Sequence, residues 1–116
     1  MAADPSAVLL VFATLPDVAA ARGLARTLVE ARLAACVSTL APCSSVYRWQ
    51  GKVEESTEVP VMIKTTAARY SDLEKAICDA HPYELPEIVA VPVQHGLPAY
   101  LEWVAAETAS FSRPSP

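Results

Sequence analysis

"WQGKVEESTEVPVMIKT", residues 49–65, decides how this chain folds. Gly51 can take a positive φ, so "WQGK" (Trp49 to Lys52) reads as a tight reversal. The residues after it, "VEESTEVPVMIKT", read as a strand. Pro60 cannot donate to a sheet ladder, which predicts an edge or a bulge there. On the other side of the turn, "AACVSTLAPCSSVYRW" (34–49) is also β-rich, with Pro42 marking an irregular point. Together the two segments predict one long hairpin from Val37 to Thr65.

Outward from the hairpin, each flank predicts a helix and a strand. "AVLLVFAT" (7–14) is a continuous apolar run of the kind buried on both faces of a sheet. Pro16 and Asp17 then suit a helix start. Ala21, Leu24, Ala25, Leu28 and Val29 recur at helical spacing to about Glu30. After the hairpin, Thr65 or Thr66 can cap a second helix running to about Ala80, with Tyr70, Leu73, Ile77 and Ala80 on one face. Pro82 stops it. "EIVAVPV" (87–93) predicts a last buried strand, and a short helix follows over about Ala99 to Thr108, with Tyr100, Leu101 and Val104 as its apolar side.

The order β, α, β, β, α, β with right-handed crossovers predicts an α+β, ferredoxin-like βαββαβ sandwich with an extra short C-terminal helix. Two helices cover one face of such a sheet. The uninterrupted apolar runs at Val8 to Phe12 and Ile88 to Val91 ask for burial on both faces. A lone domain would leave an apolar patch, so a homo-oligomer is expected, packed through its open sheet faces.

The totals agree with one domain. The chain has 116 residues, 53% of them hydrophobic, and a formal net charge of −4. The expected domain spans 7–108, with disordered ends at 1–6 and 109–116. No Lys/Arg cluster exists, which argues against nucleic acid as a partner. No run approaches a membrane span, and the N-terminus lacks the pattern of a secretory signal. The expectation is therefore a cytoplasmic protein with no membrane partner. Cys36, Cys43 and Cys78 form no paired motif and are expected to be small buried hydrophobes. No GxSxG, P-loop or GxGxxG motif is present, so no enzyme activity is expected.

One stretch carries two readings. "AHPYELPEIV" (80–89) gathers two prolines, a histidine, a tyrosine and two glutamates in ten residues between two apolar stretches. It is a rigid corner between helix and strand, since Pro82 ends the helix and Pro86 holds Leu85 extended. It is also a candidate metal site, with His81 as nitrogen donor and Glu84 and Glu87 as oxygen donors. Against that stands the single histidine, because tight transition-metal sites use several nitrogen or sulfur donors. Tyr47 and Trp49 share a strand face at the hairpin tip, as interface anchors or, for Trp49, as the wall of a ligand cleft. Glu58 and Lys64 lie six residues apart and nominally face the same way. They are either solvated charges or the charged lining of a cleft.

Five segments in order, "ARLAACVS" (31–38), "SVYRWQGKVE" (45–54), "EVPVMIKTT" (58–66), "HPYELPEIVAVPV" (81–93) and "GLPAYLEWV" (96–104), resemble the divalent-cation tolerance protein family, CutA. The resemblance runs from about Val8 to Ala106. It implies a homotrimer with intersubunit β-sheets, similar in design to the PII-type signalling trimers. It further implies a response to divalent metal ions, copper or zinc among them, or a small ligand held in clefts between subunits. The implied cleft residues are Trp49, Tyr83 and Trp103 as aromatic walls and Glu58, Lys64 and Glu87 as charges. A non-catalytic scaffold or a PII-like signalling role with no direct part in metal handling is the alternative. The family pattern is departed from at one point. Some members carry a copper-linked cysteine where "FATLPD" has Ala13.

Overall fold

The computed structural model describes residues 4–109. Its elements run β1 (Val8–Leu15), α1 (Val18–Glu30), β2 (Cys36–Thr39), β3 (Cys43–Trp49), β4 (Lys52–Thr66), α2 (Tyr70–Ala80), β5 (Ile88–Pro92) and α3 (Pro98–Glu107). The sheet order is β2-β4-β1-β5, with antiparallel neighbours, and among the described residues β3 pairs only with β4. This is the α+β ferredoxin-like arrangement. The expectations for residues 1–3 and 110–116 fall outside the described residues.

Side-chain alternation along β1 and β4 divides the sheet into two faces. Val11, Ala13 and Leu15 of β1 and Val59, Val61 and Ile63 of β4 face the helices. They pack with Ala21, Leu24 and Leu28 of α1 and Leu73 and Ile77 of α2. α1 begins at Asp17, whose carboxylate accepts the Ala20 amide at 2.8 Å. α2 begins differently from the expectation. A 3-10 turn over Ala67–Arg69 precedes it, and neither threonine caps it. The Thr65 hydroxyl donates to the Leu33 carbonyl instead, at 2.6 Å. On α2, Ala80 is exposed and Ala76 takes its place against the core.

The long hairpin is real but broken on one side. β4 runs unbroken for 15 residues, while its partner is split at Leu40–Pro42 into β2 and β3. Thr39 pairs with Val61 and Cys43 with Glu58, so three residues on one strand face two on the other. The bulge therefore lies opposite Pro60, not at it. Pro60 sits inside β4, beside Thr14 of β1. Its carbonyl accepts the Leu40 amide at 2.9 Å, so its missing N–H points to the place where β2 has just ended. Gln50 and Gly51 both take positive φ, 51° and 80°, and close the tip as a hairpin turn.

The second face carries the main addition to the expected layout. α3 lies there and buries Val104 against Val8 and Ala35, with Val93 and Leu101 alongside. It covers only that end. Phe12 pairs with Val89 and Met62, and Leu10 pairs with Val91 and Lys64, all on the same open face. Val89 is 52% and Val91 45% exposed.

Candidate functional site

The corner after α2 is built around one imidazole. His81 leaves the helix with extended backbone and is buried. Its Nε2–H donates to the Thr14 carbonyl at 2.6 Å, and the Tyr83 amide donates to its Nδ1 at 3.1 Å. The amide can only donate and the carbonyl can only accept, which fixes the proton on Nε2. Both nitrogens are thus committed to backbone partners, and the ring ties the end of α2 to the end of β1. Its face meets the Tyr83 ring at 4.7 Å between centroids. Burial, and then the Glu58 charge, push the Tyr83 phenol above the usual tyrosine range.

Glu84 and Glu87 follow His81 in the corner and are exposed. Among the described residues, no three His, Cys, Asp or Glu side chains form a group able to hold a metal. The single-chain donor set therefore does not fit a transition-metal centre. Ala13 is fully buried in the helix-facing core, so its position offers no open coordination site. The cysteines depart from their expectation: Cys43 and Cys78 are exposed and Cys36 is partly so, and all three are free thiols.

The expected cleft residues fall into separate groups. Glu58 lies at the base of the β3–β4 arm, and its charge is felt at Tyr83. β4 carries no bulge against β1, so Glu58 and Lys64 do share a face, but six residues on a strand span on the order of 20 Å. Lys64 reaches over the Tyr100 ring, 5.7 Å from its centroid, and Tyr100 lies 5.6 Å from the Trp103 ring. Trp49 stands at the far end of the arm, opposite Lys52. Tyr47 stands on the same arm face, and its hydroxyl accepts from Ser56 Oγ at 3.2 Å. Within one chain these residues do not come together at one place.

Two features escaped the sequence reading. Tyr100 links Lys64 to Trp103, which required knowing that α3 crosses the second face beside β4. Val46 and Val53 are 66% and 67% exposed on the arm face opposite Tyr47 and Trp49. Alternation along β3 was the available signal, since Val46 must face away from Tyr47.

The family model described as CutA1 divalent ion tolerance protein matches residues 9–107. Mouse protein CutA is 44% identical over 93% of this chain and 61% of its own length. The chain thus spans about three fifths of the first vertebrate relatives it matches. The divalent-cation tolerance protein CutA of Thermus thermophilus is 42% identical over 85% of this chain and 96% of its own. The crystal structure of CutA from Xylella fastidiosa superposes with a TM-score of 0.85 at 46% identity, covering 88% of this chain and 98% of that one. One structural neighbour corrects an expectation. CutA from Archaeoglobus fulgidus, 30% identical with a TM-score of 0.85 over 88% of this chain and 99% of that one, is described as periplasmic. The cytoplasmic assignment therefore does not stand. No helix among the described residues is long and apolar enough to cross a membrane.

Proposed function

The chain belongs to the CutA1 divalent ion tolerance protein family, and from that premise we propose that it works as a homotrimer that binds divalent cations or a small ligand in clefts between its copies. The role is non-catalytic. One observation supports it above the others: the sheet face away from α1 and α2 is left open and apolar, with Val89 and Val91 outward beside Phe12 and Leu10. A patch of this kind marks an association surface. Packing copies together brings Trp49, Glu58, Lys64, Tyr83 and Trp103 of different chains within reach of one another, with Tyr47 and Trp49 anchoring the contact.

Within this reading, His81 is the strut of the corner, and the oxygen donors Glu84 and Glu87 meet the cation. Calorimetric titration of the oligomer with copper(II) and zinc(II), beside His81→Ala, tests it. The expected result is unchanged metal stoichiometry in the variant, with stability lower by about 2–4 kcal/mol per chain. One buried and one partly buried hydrogen bond disappear, and the Thr14 carbonyl loses its donor. Saturable binding at one site per chain that vanishes in His81→Ala would restore His81 as a ligand.

A second reading, a scaffold or PII-like signalling trimer with no direct metal role, draws support from the commitment of both His81 nitrogens and from the dispersed donors. A melting temperature unmoved by any divalent cation would favour it, because a ligand of the native state must stabilise that state.

A further inference from the structure

Glu58 is only 8% exposed, yet no hydrogen bond or ion pair reaches its carboxylate among the described residues. Its oxygens still touch solvent, since no fully enclosed side-chain oxygen or nitrogen among these residues lacks a partner. The group is therefore the floor of a pit that opens outward. A carboxylate so withdrawn from water calls for a positive partner. Four basic residues of its own chain are engaged elsewhere: Arg26 with Glu30, Arg32 with Glu107, Arg69 with Asp72, Lys75 with Asp79. Lys64 stands over Tyr100.

Arg48 presents the converse problem. It lies on the outer arm face, two residues from Val46 and directly opposite Val53. The arm is two-stranded, and β3 has β4 as its sole strand partner among the described residues. Such a hairpin with a strongly exposed valine pair is marginal until something covers it. Covering the valines withdraws Arg48 from water as well, and a guanidinium in an interface needs a carboxylate. The two groups cannot meet within one chain. Val53, which faces Arg48, is five residues from Glu58, about 17 Å along the strand and on the opposite face.

We propose that Arg48 at the hairpin tip of one copy enters the Glu58 pit of a second copy, so that each pit is completed only by assembly. This rests on the oligomeric reading above and names the contact that sets its register. The second copy is favoured over a metal because, among the described residues, Glu58 belongs to no group of three or more metal-ligating side chains, Cys43 being the one thiol paired opposite it.

Sedimentation velocity of the full chain across a dilution series tests the pair. Arg48→Glu and Glu58→Arg are each expected to raise the dissociation concentration roughly 30-fold or more, as for a buried interfacial charge pair. The double reversal is expected to recover most of that loss. A double reversal no better than the worse single variant overturns the proposal. Should either reversal fail to fold, Arg48→Met and Glu58→Gln replace them in a double-mutant cycle. Non-additive losses support the pair, and strictly additive ones overturn it. An unaltered chain that stays monomeric sinks the oligomeric reading itself. An oligomeric chain without coupling sinks only the Arg48–Glu58 contact.

Discussion

Val89→Asp combined with Val91→Asp is expected to leave the chain folded but monomeric at micromolar concentration, where the unaltered chain is expected to be trimeric. Both valines point away from the α1/α2 core, paired with Phe12 and Leu10 on the open face. In one chain they are about half exposed, so aspartates there cost the monomer little. In an assembly that covers the face, each half-exposed valine gains roughly half of what full burial is worth, about 1 kcal/mol. Each aspartate would also be desolvated without a partner. The effect is repeated in every copy, and no interface of ordinary strength survives it. Light scattering reads the mass, and far-ultraviolet circular dichroism reads the fold. A trimeric mass retained in the double variant would show that this face is not the one that associates.

Ile77→Ala is expected to lower stability by about 2–5 kcal/mol per chain at fixed protein concentration. α2 has 11 residues and only two buried side chains, Leu73 and Ile77, both fully enclosed. Removing one leaves a cavity under half of the helix's attachment. The loss also reaches the site, because α2 ends at the His81 strut four residues later. Denaturant unfolding beside Lys75→Ala separates the two cases. Lys75 pairs with Asp79 at 2.7 Å, but both side chains are largely exposed, so that control should move by less than about 1 kcal/mol. An Ile77 loss no larger than the control would mean that α2 is held by something other than its core face.

The sheet and its two core helices were legible because their signals are local. The apolar run at 7–14, the helical spacing of Ala21, Leu24 and Leu28, and the Gly51 reversal each need only neighbouring residues. Pro60 misled in part because a proline restricts only its own N–H. Which partner strand adapts depends on the whole ladder, and here the extra residue went to Leu40–Pro42. The threonine cap failed because Thr65 found a better acceptor in Leu33, 32 positions earlier. Such long-range competition leaves no trace in a window of ten residues.

The candidate site was less legible. The rigid corner was readable from Pro82 and Pro86, but the choice between strut and ligand depended on which atoms meet the ring. Those atoms belong to Thr14, 67 positions away, and to the Tyr83 backbone. The cleft residues were named through resemblance, and a single chain sets them in separate groups along β4 and α3. In the proposed assembly their convergence belongs to more than one copy, which neither the pattern of residues nor one folded chain contains.

The central claim is that copies of this chain close the open sheet face and complete the site between them. Multi-angle light scattering of the unaltered, tag-free chain, diluted from high to low micromolar concentration, tests it most directly. The account predicts three times the mass of one chain throughout that range. A mass of one chain at every concentration would contradict it, and the intersubunit clefts and the Arg48–Glu58 contact would fall with it.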